Sequence, residues 1–438
     1  MNKIFGIDLG TNYSRIAYVD EYGKPVVIPN FENEINTPSI VCINDDSSVI
    51  VGKEAKYMLE TDPEKVVSFI KRNMGDPNYV FPINNIKYKP EEISAYILKK
   101  LVYDASENIG IKIKDVVITC PAYFGSIERR AIEIAGEIAG LNVKSIICEP
   151  IAAALAYGID KEQDQTILIY DLGGSTFDIT LVQVSHSIEI LSTGGDYTFG
   201  GKDWDDILIA FLADKFMENT GIKDDILSNV ETFGELQIKA EFAKMVLSTR
   251  DKTRVHLMHD KENFSIEISR EKFEELTKDL ANKTIMLTNQ LLDDAKAKGF
   301  TSFDKILLAG SSTKMPQIRK ILEKFYPNIP IESFDPGEAV AKGAAIYGYQ
   351  LAINGGIIRP RKIKEILEKE LINIQIDIAM AKNVNKRIVY GSPLVFNESP
   401  PTQVTFKISD AGQLDIQAVG LTGNKEFNLN IKTSGNGE

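Results

Sequence analysis

The 438-residue chain is too long for one simple core and points to two to four domains. Hydrophobic residues at 43% and charged residues at 26% are ordinary for a globular protein, and a net charge of -12 argues against bulk binding to nucleic acid or an anionic membrane surface. Cys42, Cys120 and Cys148 show no spacing pattern, and the start MNKIFGIDLG enters a strand with no signal core, which predicts a soluble cytoplasmic protein with reduced thiols and no membrane span.

Residues 3–19 read as a strand, an Asp-Leu-Gly-Thr bend and a second strand. The apolar run VVSFIKRNMG follows later and carries Lys71, which by itself could simply snorkel to water. DVVITC at 115–120 is a buried strand ending at Pro121. A helix follows, because Ile127, Ala131, Ile134, Ala135, Ile138 and Ala139 recur at helical spacing. SIICEPIAAALAYG at 145–158 reads as strand, acidic-Pro turn and Ala-rich helix. There Glu149 either serves a helix dipole or faces a cleft.

Residues 165–184 repeat the first pattern, with YDLGGSTFD at the bend. GGDYTFGGKDWD at 194–205 suggests a further phosphate or cation loop. His256 and His259 fall in an alternating stretch that would put them on opposite strand faces, which argues against a metal site. DKILL at 304–308 is a strand ending in AGSSTKMP, and a helix with Ile318, Ile321, Leu322 and Phe325 on one face follows. ESFDPGEAVAKGAAIYG at 332–348 repeats the pattern of 145–158.

Three paired elements in one order predict two similar α/β lobes, at about 1–160 and 161–355. A mostly helical insertion at about 202–300 forms a lobe of its own. Residues 356–370 read as a charged linker. Residues 371–438 read as a small antiparallel β unit, with Val404, Phe406 and Ile408 on one strand and Phe427, Leu429 and Ile431 on another. Both Asp-Gly bends would then face the cleft between the lobes. A Gly-rich turn presents backbone N–H groups to phosphate oxygens. A carboxylate beside phosphate needs a cation between them, so Asp8 and Asp171 suggest Mg²⁺ held largely through water. Thr11, Ser175 and Thr176 add hydroxyl donors.

These residues carry a resemblance. GIDLGTNYS, NTPSI at 36–40, IKR at 70–72, VITCPAYF at 117–124, EPIAAALAYG at 149–158, YDLGGSTFD and AGSSTKMP run collinearly over about residues 1–350. Together they resemble the 70-kDa heat-shock (DnaK-type) chaperones, whose ATPase domain has the actin-like fold. Sugar kinases and actins share the Asp-Gly bends but lack VITCPAYF and the AAALAYG helix.

The resemblance implies an ATPase that couples ATP hydrolysis to the binding of unfolded polypeptide. It implies ATP/ADP and Mg²⁺ as cofactors and admits K⁺. J-domain co-chaperones and a nucleotide exchange factor would be partners. By motif position, Asp8 and Asp171 would hold hydrated Mg²⁺. Gly10, Thr11, Asn12 and Tyr13 would clasp the phosphates, as would Gly173, Gly174, Ser175 and Thr176, and Gly200 and Gly201 would also bind ATP. Lys71 would position the attacking water and γ-phosphate, Glu149 would assist, and Thr176 would lie near the γ-phosphate. Glu241, Lys244, Met245 and Ser248 would hold adenosine, facing Gly310, Ser311, Ser312 and Lys314. Pro121 and Arg129 would relay the nucleotide state.

The chain also departs from the pattern. Met245 replaces an arginine, Ser175 and Ser311 each replace a glycine, Asn12 replaces a threonine and Lys202 an acid. A basic IIRPRKIK stands where the family has an acidic, Leu-rich linker, and no helical lid follows the last strands. These departures motivate an alternative, a nucleotide-binding regulatory or scaffold module with little hydrolysis and no peptide capture. A small-molecule kinase on the same fold is a third reading, which the motif set argues against.

Overall fold

The computed structural model describes residues 3–83, 86–157, 164–185, 188–333 and 335–353, together with the strand backbone at 389–390, 392–393, 403–408 and 414–419. Two compact units divide the chain, Met1–Ile357 and Ile358–Glu438.

Short runs of buried β-branched residues build the first sheet. β1 (Phe5–Asp8) is wholly buried, and β2 (Tyr13–Val19) and β3 (Pro25–Val27) fold back antiparallel beside it. β4 (Asp115–Cys120) and β5 (Asn142–Cys148) extend the other side in parallel, giving the order β5-β4-β1-β2-β3. The second sheet contains β6 (Gln165–Leu172), β7 (Phe177–Val184), β8 (Ile188–Asp196), β9 (Lys305–Ala309) and β10 (Ile331–Glu332), in the order β8-β7-β6-β9-β10. Its pairings are antiparallel, antiparallel, parallel and parallel, matching the first sheet strand for strand. The duplicated bends in the sequence are therefore the same turn of the same motif, built twice.

α1 (Pro90–Ile109) and α2 (Ser126–Ile138) belong to the first lobe. The packed stripe of α2 is Ala131, Ile132, Ala135 and Gly136, while Ile127 and Ile138 are exposed. The expected stripe thus differs in part. Gly136 lies so close to Val143 of β5 that a Cβ there would overlap it, so the small-residue face turns to the sheet. α3 (Glu149–Ala156) begins at Glu149 itself, so the expected acidic-Pro turn is the first turn of the helix, with proline at its favoured start.

The insertion includes α4 (Gly201–Thr220), α5 (Val230–Thr249), a hairpin of Lys252–His259 and Glu262–Ser269, a short helix at Arg270–Leu276, and α6 (Lys278–Ala297). His256 and His259 lie on a strand as expected, bonded to Ser265 and Thr232 respectively. The insertion shares its core with the second sheet. Trp204 is fully buried there beside Phe199, which packs in turn on Phe177 and so on Tyr170. Burying a ring of that size is worth about 4 kcal/mol.

α7 (Pro316–Phe325) follows β9, and α8 (Ala339–Ile353) closes the unit. α8 packs on α3 and lies across β1 and β2 of the first sheet. A Cβ on Gly343 would overlap the Ala152 carbonyl oxygen, and one on Gly6 would lie 2.8 Å from the Ala341 oxygen. Alanine and glycine on these helices are thus what lets the lobes approach backbone to backbone.

Val404, Phe406 and Ile408 belong to the strand Gln403–Ile408, which pairs antiparallel with Leu414–Val419. The expected linker at 356–370 and the strand with Phe427, Leu429 and Ile431 lie outside the described residues. Among the described residues, no helix is long and apolar enough to cross a membrane.

Candidate active site

The two bends meet at the cleft because their strands occupy equivalent places. Asp8 ends β1, and Asp171 is the next-to-last residue of β6. After Asp8 come Gly10, Thr11 and Asn12; after Asp171 come Gly173, Gly174, Ser175 and Thr176. The two turns touch, since a Cβ on Gly174 would overlap Asn12 and reach 2.6 Å from its Cβ.

NTPSI is the staple that shapes the first turn. Thr37 and Pro38 pair with the start of β2. Ser39 donates its N–H to Asn12 O at 2.8 Å and its hydroxyl to Gly10 O at 2.7 Å. The second turn is held from behind. Gly173 N–H donates to Thr176 O at 2.9 Å, Gly201 N–H to Gly173 O at 3.0 Å and Lys202 N–H to Gly174 O at 2.6 Å. Gly200 approaches the Ser175 and Thr176 backbone so closely that a Cβ would sit 2.7 Å from it. The expected loop at 194–205 is therefore shorter than its glycines suggested. Residues 194–196 finish β8 and 201–205 begin α4, so the glycines there act as a backbone platform.

Lys71 lies in a one-turn 3-10 helix, Ile70–Asn73, entered through Phe69 with a left-handed φ of 57°. Its ammonium is buried and forms an ion pair with Glu149 at the start of α3. Burial opposes the charge on Lys71, yet Glu149 and Asp8 outweigh it and hold the ammonium pKa above the ordinary lysine value. Burial raises Glu149, with Asp8 adding to the rise and Lys71 opposing it. The cleft pushes Asp171 up to about 8, through loss of water and the nearby Glu149 and Asp8 carboxylates. Asp178 is raised well above the carboxylate range by burial, then by Glu149 and Asp171.

Asp178 is a residue that the motif reading passed over. It is the register partner of Asp171 across the β6–β7 hairpin, and its Oδ1 is buried without a protein partner. Ser175 Oγ and Asn12 Oδ1 are buried and unpartnered as well. Among the described residues, Asp8, Glu149, Asp171 and Asp178 have Lys71 and Arg15 as neighbouring cations, and some buried oxygens there have no protein partner. Among the described residues no three acidic, histidine or cysteine side chains gather closely enough to ligate a metal directly, so these oxygens fit a hard divalent cation only if its own waters lie between.

Around this centre, other contacts cross the cleft. Tyr13 donates to Glu241 of α5 at 2.7 Å, and Lys56 forms an ion pair with the same carboxylate. Arg72 donates to the Ser175 carbonyl oxygen. The Tyr123 and Tyr197 rings stack with centroids 3.6 Å apart. Sequence reasoning missed Lys56, Arg72 and Tyr197, because only the folded register shows that they bridge. Tyr123 lies inside VITCPAYF and could have been singled out.

The other expected residues are spread over several elements. Lys244 is buried and bonded to Asp205 Oδ2 at 2.6 Å and Gly201 O at 2.8 Å. Met245 is half exposed, and Ser248 turns its hydroxyl back to Lys244 O at 2.9 Å. Gly310 has a left-handed φ of 78°, and a Cβ there would lie 2.5 Å from Asp171 Oδ1. Ser312 is buried beside Gly201, while Lys314 is exposed. Neither Ser175 nor Ser311 has a positive φ, so replacing glycine there carries no backbone strain. Pro121 is buried, and Arg129 donates to Phe124 O at 2.9 Å and to Cys148 Sγ at 3.0 Å, next to Glu149.

The Hsp70 protein family model matches residues 4–81 and 80–436, nearly the whole chain. The chain therefore belongs to the Hsp70 protein family, with its actin-like fold and its character as a chaperone-type, nucleotide-binding ATPase.

Proposed function

We propose that the chain binds ATP in the cleft and hydrolyses it to ADP and phosphate, passing the nucleotide state on to the binding of unfolded polypeptide. The observation that carries this reading is the buried Lys71–Glu149 pair, set between two acid-ended hairpins. In this reading the backbone N–H groups of Gly10–Tyr13 and Gly173–Thr176 hold phosphate oxygens. Lys71 directs its ammonium at the γ-phosphate and the attacking water. Glu149 fixes Lys71 and accepts a hydrogen bond from that water. Thr176 stands beside the γ-phosphate. Asp8 and Asp171 would hold Mg²⁺ through its waters, and the ion when bound would offset phosphate charge. Such a site works by positioning and charge, with little covalent chemistry.

Adenosine would lie against α5, where the exposed thioether of Met245 is free to pack on the ring. Arg129, joined to the 121–124 turn and to Cys148, gives a short mechanical route from Glu149 toward a partner surface. J-domain co-chaperones and an exchange factor are the partners this reading names. It is tested by single-turnover hydrolysis with and without an extended hydrophobic peptide, and by crosslinking that peptide in the ADP state. Peptide-stimulated turnover and ADP-dependent crosslinking are expected. Tight ATP binding with no turnover in either case would instead support a regulatory nucleotide-binding module.

A further inference from the structure

The matched hairpins differ at one telling position. In the second lobe the register partner of Asp171 is another acid, Asp178. In the first lobe the register partner of Asp8 is a base, Arg15. Arg15 is only 6% exposed, and all three of its nitrogens are engaged. Nε donates to Asn36 Oδ1 at 2.7 Å, Nη1 to Asp8 Oδ2 at 3.2 Å, and Nη2 to Ser311 Oγ at 3.0 Å in the other lobe. Gly337 leaves the space for this meeting, since a Cβ there would lie 3.0 Å from Ser311 Oγ and 3.3 Å from Arg15 Nη2.

A guanidinium is permanently charged and carries five N–H donors. Three are used in these bonds, so among the described residues each Nη keeps one N–H without a partner. Nη1 lies beside the carboxylate that begins the first phosphate turn, and Nη2 beside Ser311 of the second lobe. Asp8 is therefore already neutralised by the chain itself, whereas the Asp171–Asp178 pair has no base as a register partner.

We propose that Arg15 is a phosphate-binding residue of the cleft. Its free N–H groups donate to the nucleotide polyphosphate, and its bond to Ser311 ties the second lobe to the same phosphates. Part of the nucleotide affinity then survives without a divalent cation. The inference rests on the reading of the cleft as a nucleotide site, and its test separates the two.

The test is equilibrium binding of ADP and adenosine, in Mg²⁺ and in excess EDTA, to the full chain and to its Arg15→Met and Arg15→Lys variants. The natural chain should still bind ADP in EDTA. Arg15→Met should weaken ADP binding in EDTA by about tenfold or more, the usual size of a charge-assisted hydrogen bond. Adenosine binding should not change. Arg15→Lys keeps the charge but not the fork, so it should fall between the two. If Arg15→Met fails to fold, Arg15→Lys still carries the comparison, with weaker ADP binding expected than in the natural chain. Equal ADP affinity in EDTA for the natural chain and the folded variants overturns the proposal alone, as does an equal loss for ADP and adenosine. Absence of ADP binding by the natural chain in both buffers overturns the nucleotide reading and this inference with it.

Discussion

Asp171 is buried under the influence of the Glu149 and Asp8 carboxylates, with Lys71 and Arg15 opposing them, and its pKa of about 8 has a consequence for stability. A carboxyl group with a raised folded pKa binds more protons folded than unfolded. Its stabilisation is complete below the unfolded value, near 4, and is lost as pH rises through about 8. In cation-free buffer, stability should therefore fall more steeply with pH between about 4 and 8 in the natural chain than in Asp171→Asn. Thermal unfolding across that range checks this, and parallel curves would contradict it. At this scale the sequence was readable where a motif named the residue. Asp8, Lys71, Glu149 and Asp171 were expected at the cleft, and the fold gathers them there. Arg15 and Asp178 were not found, because their importance comes from the partner across a strand pair rather than from neighbours along the chain.

Among the elements, α3 and α8 do the most to fix the site. Glu149 is the first residue of α3, so the seating of that helix sets where the carboxylate meets Lys71. The seat depends on the contact of Gly343 with Ala152. Gly343→Ala should cost about 1–3 kcal/mol of stability, as overpacking does, and should slow turnover by displacing Glu149. Denaturant unfolding checks the first effect, and unchanged stability would show that the helices shift without cost. The Ala-rich character of both helices was legible in the sequence, but that they pack on each other was not. The buried face of α2 was only partly legible, because Gly136 rather than an isoleucine set the approach to β5.

At the scale of the molecule, the two equivalent lobes are joined over the cleft by contacts of different kinds. The Tyr123–Tyr197 stack joins the two lobes through rings. Such pairs are worth about 0.5–1.5 kcal/mol. Tyr197→Ala should therefore speed ADP release by up to about tenfold. Stopped-flow release of a fluorescent ADP analogue checks this, and an unchanged rate would show that the stack does not gate exit. The duplicated order of strands made the two-lobe plan visible in the sequence. The bridges were not visible, since they join residues far apart in the chain, such as Tyr13 with Glu241.

The central claim is that Lys71, held by Glu149, drives hydrolysis rather than binding. Single-turnover hydrolysis by the natural chain and by Lys71→Ala, with ATP affinity measured alongside, tests it most directly. The account predicts conversion of bound ATP to ADP by the natural chain, and measurable ATP binding with turnover abolished in the variant. Equal turnover in the two proteins would contradict it.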